Sequence, residues 1–556
     1  MATRIAVSAY YQRPGRNFSL QERFISGNPD ATDFSRRFAA NTFFNLVGRF
    51  WSFLVALLLT PYVLSRLGVE DFGVWILLSV FASSFGLLDV GLGWSFIKYV
   101  SEYRAVGEFD RINRVLFAGV AFYVLLGAGF LALGGLLGPV LFRVFRVEAE
   151  PGIFLLILGA FGVNNLALLM LSMLRGLQRM DLSNAVEILV TLPRVAGTIL
   201  VLEAGMGIRG LAINALLVAF LAGTSGWVCL RRAVPWIELR WTPDFALLGR
   251  LLGYGGKLQA VRLSELVCFQ VDRLIVSRFL DVASVSFYEL GSRLVLFMRA
   301  LPYVLISVVT PAVSELAALD DRARALRMYR LASKYVAAAT VGLVALVMLD
   351  ATALLVLWLG PGFEGSAIIV RILAVGYGVN AMSAVAGQTG SGFGRPDFEM
   401  RGAILLTVVN PVLSILLIQA LGVSGVALGT SLALGAGALY VVGVFHASQA
   451  GGSAGAFLRQ VYMRPMIAAL AGAVCHEGLT GLVPTLAGGF GSRAAALARI
   501  SIATPAFLIV YVAVLVVLGH LKAADRDNLR RLSGFVTDTI RRRMPSGKLP
   551  ANPEER

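Results

Sequence analysis

One long apolar stretch of the chain, residues 251–277, contains five ionisable side chains. On a helix with 100° per residue, these five fall within an arc of about 160°. At roughly 2.5–3.5 kcal/mol per charge at the bilayer centre, exposing all five to lipid would cost on the order of 10 kcal/mol or more. The charged face must therefore meet a watery cavity or partner charges. Its members are Lys257, Arg262, Glu265, Asp272 and Arg273.

Further charges lie in two other apolar stretches, and together they suggest an anion site. The stretch near 284–311 contains Glu289, Arg293 and Arg299, and the stretch near 41–64 contains Arg49. Guanidinium groups bind phosphate oxygens through paired hydrogen bonds. Arg49 and Arg262 occupy equivalent positions in two repeated parts of the chain. Two such arginines facing one central space suit a ligand with a diphosphate. We therefore interpret five residues as cavity cations that bind substrate: Arg49, Lys257, Arg262, Arg293 and Arg299.

The same residues allow a purely structural interpretation. Arg262 with Glu265, and Glu289 with Arg293, have the spacing of helix-surface pairs that only neutralise each other. We expect Asp272 and Arg273 to pair with each other near the outer end of their span. In the fifth span we expect Glu187 to pair with Arg194.

Three acidic residues are candidates for ion coupling: Asp89, Glu265 and Asp350. Asp89 equally suits a cap at a helix break made by Gly91 and Gly93, and Asp350 equally suits a position near the outer interface. No catalytic arrangement emerges, because the three histidines (His446, His476 and His520) are far apart in sequence and no phosphate-binding Walker loop is present. The three cysteines do not have metal-ligand spacing. We predict a protein that is not an enzyme, with no catalytic residues, metal or cofactor.

The composition shows which elements position these residues. Of 556 residues, 57% are hydrophobic and 15% are charged, against roughly 25% charged in soluble proteins, and the mean hydropathy is +0.76. We predict an all-α polytopic membrane protein, since helices satisfy their own backbone groups in lipid. Fourteen spans are predicted, near residues 41–64, 72–97, 113–142, 152–174, 183–204, 208–230, 251–277, 284–311, 332–358, 364–390, 400–421, 424–446, 464–486 and 495–520.

The basic residues predict the orientation. Most of the 49 Lys and Arg fall in alternate connections and in the two tails, including segments 231–250 and 322–334. By the positive-inside rule, we predict a multi-pass membrane protein with both termini cytoplasmic. The net charge of +16 fits this topology and contact with the lipid bilayer, so we predict no nucleic-acid partner.

The sequence also contains an internal repeat. The segments GLQRMD and GFGRPD, GIRGLAI and GVSGVAL, VSEY and VSEL, and SRL and SRF recur in the same order at offsets of 212 to 216 residues. Six spans per repeat is an even number, so the repeats are parallel and face one central cavity. The predicted organisation is a cytoplasmic segment 1–40, six-helix bundles 41–230 and 251–446 joined by a cytoplasmic linker 231–250, two additional helices in 464–520, and a basic cytoplasmic tail 521–556.

The repeated turns at Arg179–Asp181 and Arg395–Asp397 join the fourth to the fifth span and the tenth to the eleventh. We interpret each as a basic turn whose aspartate caps the next helix.

One part of the chain resembles a known family. NTFFNLVGRFWSFLVALLLTPYVLSRLGVEDFGVW, followed by LLDVGLGWSFIKYVSEYRAVGEFD, is similar to the opening of Wzx-like bacterial polysaccharide flippases of the multidrug/oligosaccharidyl-lipid/polysaccharide (MOP) exporter superfamily. The shared features are Thr-Pro in the first span, the L-G-x-x-x-F-G turn and the L-D-x-G-L stretch. The likeness is most specific over residues 41–114, and the duplicated six-span halves also fit.

This resemblance implies a protein of the bacterial cytoplasmic (inner) membrane. It implies a transporter that moves undecaprenyl-diphosphate-linked oligosaccharide, such as an O-antigen, capsule or exopolysaccharide unit, across that membrane by alternating access. It implies that spans 1, 2, 7 and 8 line the cavity and that the cavity cations bind the diphosphate or acidic sugars. Glycan polymerase and chain-length proteins of the same pathway would be partners.

Three alternatives remain open. A multidrug or cation-coupled exporter of the same superfamily would need more cavity carboxylates than arginines. A lipid II flippase is disfavoured, because the second span has no arginine in its body. A membrane glycan polymerase would need a large outward loop for chemistry, and none is predicted.

Overall fold

The computed structural model describes residues 54–89, 91–307, 309–481 and 491–521, with the side chains of all but residues 87, 88, 257–269 and 304. Its regular elements are helices, so the predicted all-α class is confirmed. Helices are favoured because lipid offers no partners for backbone N–H and C=O groups. Segment 1–40, Arg49 and nearly all of tail 521–556 lie outside the described residues, and the predicted domain boundaries stay predictions.

The first half contains seven described helices separated by short turns. They are α1 (Leu54–Leu67), α2 (Val69–Phe85), α3 (Leu92–Ala105), α4 (Phe109–Phe145), α5 (Pro151–Gly176), α6 (Met180–Glu203) and α7 (Gly207–Ala233).

The second half repeats this order after the linker. Its helices are α8 (Phe245–Phe279), α9 (Val282–Ile306), α10 (Val309–Ala318), α11 (Arg322–Leu359), α12 (Ser366–Gly392), α13 (Asp397–Leu421) and α14 (Val423–Phe445). A short π-helical turn, His446–Ala450, follows α14, and the two additional helices are α15 (Ala454–Thr480) and α16 (Ser492–Val517).

Helix packing repeats with the sequence. In the first half α5 packs on α4 and α7, and α6 packs on α7. In the second half α12 packs on α11 and α14, and α13 packs on α14. The two appended helices pack on each other and on α11. The duplication seen in the sequence is therefore a duplication of the helix arrangement.

The second span of each half, predicted as one span, is broken, and in the first half the break includes Gly91, one of the two glycines that suggested a helix break in the sequence. Between α2 and α3 lie a 3₁₀ turn, Gly86–Asp89, and Gly91 with a left-handed φ of 68°. A β-carbon at Gly91 would lie 2.7 Å from the carbonyl oxygen of Gly255 in α8, so this position requires glycine. Helix α9 ends at Ile306, and Ser307 after it is a turn residue four positions before Pro311. A proline ring collides with the carbonyl four residues earlier, which explains the position of this break.

Nine of the described helices are long and apolar enough to cross a membrane. Several other helices are not among these nine. Helix α1 is described over a shorter length, α8 contains several charges, and α2, α3, α9 and α10 are the parts of the two broken spans. The count of fourteen spans stays a prediction.

The apolar core differs between the two ends of the bundle. We call the end with the connections 106–108, 234–244 and 319–321 the basic end. At the opposite end, both halves contribute to one cluster that includes Phe72, Phe154, Tyr288 and Leu355. At the basic end each half has its own cluster, one around Phe96 and one around Tyr329, and only α8 contributes to the core of the other half.

Candidate functional site

A cavity of about 460 Å³ lies among five helices of the first half: α1, α2, α5, α6 and α7. One residue of the second half, Arg293 in α9, also lines it. The wall combines aromatic rings with uncharged polar side chains, which suits a ligand with both apolar and hydrogen-bonding groups. These residues are Phe72, Trp75, Phe161, Thr60, Ser79, Asn164, Thr198 and Asn214.

Arg293 is held in place by both halves of the molecule. Its Nε donates to Glu289 Oε1 at 2.6 Å within α9, and its Nη1 donates to Thr60 Oγ1 of α1 at 2.6 Å. Its guanidinium carbon lies 5.6 Å from the centroid of the Phe72 ring. The side chain is 30% exposed, so part of its charge remains available to the cavity.

Glu289 bridges two arginines. Its second oxygen, Oε2, accepts from Arg273 Nε of α8 at 2.5 Å, and both of these side chains are only 8% exposed. The triad of Arg273, Glu289 and Arg293 therefore has a net charge of +1. The expected pair of Glu289 and Arg293 is confirmed, but it does not cancel the positive charge at the cavity.

Asp272 does not pair with Arg273 as expected. Its carboxylate accepts hydrogen bonds from Tyr288 at 2.5 Å, Thr430 at 2.6 Å and Asn410 at 3.2 Å. Arg273 bonds Glu289 of α9, whereas Asp272 bonds Tyr288 of α9 and also reaches α13 and α14. Sequence spacing alone could not reveal this, because all three donors are distant in sequence.

Arg194 of α6 is the second cation at the cavity, and sequence analysis missed it. Its expected partner, Glu187, instead forms an ion pair with Arg175 of α5. Glu187 and Arg194 are seven residues apart, which is two turns of helix, whereas the turn between α5 and α6 brings Arg175 close. Arg194 is exposed, and no carboxylate pairs with it among the described residues. An arginine within an apolar span without an acid three or four residues away was the available signal.

Arg299 lies apart from this cavity. It donates to Tyr303 at 3.1 Å, and its guanidinium also lies 5.5 Å from the centroid of the Tyr377 ring. Tyr303 in turn donates to Asn380 of α12 at 3.3 Å. The role of Arg299 in binding substrate stays a prediction.

Two of the acidic candidates are buried and have partners. Asp89 accepts a 2.6 Å hydrogen bond from Tyr123 and ends the 3₁₀ turn at the helix break. Asp350 of α11 contacts His476 of α15 at 3.0 Å and Arg499 of α16 at 3.1 Å. Asp350 thus joins the two appended helices to α11. A coupling role for either residue stays a prediction.

The remaining candidates fall where no side chain is described. Lys257, Arg262 and Glu265 belong to α8, whose backbone is continuous there, and Arg49 precedes the described residues. Their roles stay predictions. No group of His, Cys, Asp and Glu suited to a metal ion occurs in the described part of the chain.

The charge of the cavity is therefore positive. Arg194 and Arg293 line it, and its lining includes no carboxylate within the described ranges. Two guanidinium groups beside amide and hydroxyl groups favour an anion such as a phosphate ester over a cation.

Comparisons with known proteins agree with this fold. Residues 38–317, half of the chain, match the family described as "Polysaccharide biosynthesis protein". The chain belongs to this family. The family and the fold agree with the resemblance to flippases of the MOP superfamily, and the chain is a multi-pass membrane protein.

Similar proteins come from bacteria and archaea. The membrane protein EpsK of Bacillus subtilis is 23% identical over 418 residues, covering 72% of this chain and 81% of EpsK. The probable flippase AglR of Haloferax volcanii is 23% identical over 397 residues, covering 70% of this chain and 79% of AglR.

Solved structures share the fold. The lipid II flippase MurJ, in an inward closed conformation, superposes with a TM-score of 0.63 at 16% identity, covering 85% of this chain and 98% of MurJ. An inward-facing multidrug resistance transporter of the MATE family gives 0.61 at 15% identity, covering 70% of this chain and 91% of the transporter.

Proposed function

We propose that this family member flips a lipid-linked oligosaccharide across the bacterial cytoplasmic membrane and that its cavity binds the phosphate-bearing head of that lipid. The substrate would be an undecaprenyl-diphosphate-linked unit of a surface polysaccharide. Both termini would be cytoplasmic, glycan polymerase and chain-length proteins would be partners, and the chain itself would catalyse no covalent step.

The observation that carries this proposal is that Arg194 and Arg293 both line a cavity whose described lining has no carboxylate. Arg293 is oriented by Glu289 and Thr60, whereas Arg194 has no carboxylate partner among the described residues. One oriented cation and one unpaired cation suit a ligand with two adjacent phosphates. The neighbouring aromatic rings, Phe72 and Trp75, provide faces on which sugar rings or an isoprenoid chain can pack.

Alternating access is supported by the arrangement of the core. The halves share one apolar cluster at the end opposite the basic end and have separate clusters at the basic end. A cycle in which the halves separate at one end and meet at the other would carry a bound head across the membrane.

A multidrug exporter of the same fold is the alternative, and the cavity charge argues against it. Cationic drugs require carboxylates, while the described lining has two arginines. Lipid II remains the other candidate substrate, because it carries the same diphosphate. The two lipids differ in their sugars, so only a transport assay with defined lipids separates them.

The test is flipping by the full chain in vesicles. Wild-type protein should move a polyprenyl-diphosphate-linked trisaccharide between leaflets, scored by lectin access, and should not move a cationic dye. Arg194→Ala should reduce the flipping rate at least about tenfold, because it removes one phosphate contact worth about 1.5–3 kcal/mol, and Arg194→Lys should retain part of the rate.

The matched control is Arg371→Ala. Arg371 is an arginine of α12 that donates to the carbonyl oxygen of Met348 and does not line the cavity. This variant should flip at the wild-type rate. Normal flipping by Arg194→Ala, with normal protein level, would contradict the proposed site, and dye transport without lipid flipping would contradict the proposed function.

A further inference from the structure

A second cavity, of about 730 Å³, lies at the basic end of the second half. It is enclosed by the beginning of α11, the π-helical turn, the beginning of α15 and the residues after α16. None of these elements lines the first cavity, so the two sites are separate.

The lining of this second cavity is strongly basic. No aspartate or glutamate contributes to it among the described residues, and Arg327 and Arg330 pair with no carboxylate there. Arg464 of α15 donates to the carbonyl oxygen of Gly519 at 3.3 Å, which joins the wall on two sides. The four cations are Arg327, Arg330, Lys334 and Arg464.

Two histidines that are far apart in sequence, His446 and His520, line this cavity. His446 is only 4% exposed; its Nε2 contacts Tyr329 at 3.0 Å, and its buried Nδ1 has no hydrogen-bond partner within the described part of the chain. The Nε2 atom of His520 lies 3.2 Å from the carbonyl oxygen of Lys334. His446 lines the cavity, and a buried nitrogen without a hydrogen-bond partner is costly.

The backbone adds further positive potential. Gly451 and Gly452 both have left-handed φ, at 70° and 76°, and turn the chain directly into the N-terminus of the 27-residue helix α15. Ser453 caps this helix by accepting from the N–H of Ala456, and the helix N-terminus has a partial positive charge that favours phosphate. The cavity thus combines side-chain cations and a helix terminus with a histidine that has one nitrogen without a partner.

Apolar surface borders the same cavity. Leu331, Met463 and Val517 are exposed large apolar side chains next to, or part of, the lining on α11, α15 and α16. A free phosphate ion would gain nothing from them, whereas acyl chains would cover them. Basic pockets between membrane helices at the cytoplasmic side are recognised sites for lipid headgroups.

We propose that this cavity binds the phosphate headgroup of an anionic phospholipid, whose acyl chains lie along α11, α15 and α16. The bound lipid joins the appended helices to the second half at the basic end, as Asp350 joins them deeper in the bundle.

The test measures lipid binding by the purified full chain in detergent. Native mass spectrometry and thermal unfolding should show that phosphatidylglycerol binds and stabilises the protein more than phosphatidylcholine does. The variant Arg327→Gln/Arg330→Gln should bind phosphatidylglycerol about 10- to 30-fold more weakly, since each basic residue contributes about three- to fivefold.

The matched control, Arg401→Gln/Arg459→Gln, removes two exposed arginines outside the cavity lining and should bind within about twofold of wild type. Lipid-free unfolding temperatures should be equal for all three proteins. Equal binding of the two phospholipids, or unchanged affinity of the cavity variant, would overturn the proposal. Equal stabilisation by inorganic phosphate would show an anion site without lipid specificity and would also overturn it.

Discussion

At the scale of single residues, the positive charge of the first cavity depends on how Glu289 is shared. One carboxylate bonds both Arg273 and Arg293 in a buried position, so neither arginine is left without a counter-charge and one net positive charge remains. The sequence identified Arg293 because it is an ionisable residue within an apolar stretch. Sequence analysis instead assigned Arg194 to a pair with Glu187, and the structure shows that Glu187 contacts Arg175.

We expect Glu289→Gln to destabilise the protein by about 3–5 kcal/mol, because removing one partner of a buried ion pair leaves uncompensated charge. Thermal unfolding in detergent measures this loss. The control is Glu203→Gln, which breaks the exposed pair with Arg66, where the two side chains are 47% and 49% exposed and the expected cost is about 0–1 kcal/mol. Similar losses in both variants would show that burial does not matter at Glu289.

At the scale of elements, the repeated turn has the same geometry in both halves. Arg179 pairs with Asp181 at 3.1 and 3.0 Å, and Arg395 pairs with Asp397 at 2.9 and 3.1 Å. The hydrogen bond with its aspartate raises the pKa of Arg179 above its ordinary value. The aspartates make no side-chain cap to the next helix, so the predicted cap is wrong and the turn is closed by an ion pair instead.

The turn also needs a left-handed residue, which is Gln178 at φ 58° in the first half and Gly394 at φ 75° in the second. We expect Gly394→Val to cost about 1–2 kcal/mol, because a β-branched residue is strained in this conformation. Gln178→Gly should be neutral or stabilising. Unfolding temperatures measure both.

The control for this comparison is Gly435→Ala, at a helical glycine with open space around it, which should be neutral or stabilising by up to about 1 kcal/mol. A loss at Gly435 as large as that at Gly394 would mean that helix packing, rather than the left-handed conformation, limits these glycines.

At the scale of the whole molecule, the two halves meet at the end opposite the basic end. Ser286 of α9 donates to the carbonyl oxygen of Val69 at 2.6 Å, and Trp358 of α11 donates to that of Leu57 at 2.7 Å. A β-carbon at Gly73 would overlap the carbonyl oxygen of Val282, so the helices approach as closely as glycine permits. Alternating access requires these contacts to separate in each cycle.

A disulfide across this contact should therefore stop flipping. In a chain whose three native cysteines are replaced, Val69→Cys/Ser286→Cys should lose flipping after oxidation and regain it after reduction. The control pair Phe287→Cys/Ser366→Cys lies within the second half, where Ser366 donates to the carbonyl oxygen of Phe287 at 2.8 Å, and should leave flipping unchanged. Undiminished flipping by the first pair, once cross-linked, would contradict alternating access at this end.

The sequence by itself determined the helical membrane class, the duplication and the need for a charged interior. These follow from composition, from repeated segments such as GLQRMD and GFGRPD, and from the cost of charge in lipid, all of which are local or periodic properties. The break before α10 also has a local cause in Pro311, since a proline acts on the turn that precedes it.

Only the tertiary structure decided which charges meet. Asp272 bonds three residues from three other helices of the second half, Arg293 reaches α1, and His446 and His520 line one basic cavity. These contacts join residues tens to hundreds of positions apart, and each depends on how helices rotate and cross. A hydrophobicity pattern shows that a charge must be buried, but the partner is chosen by packing.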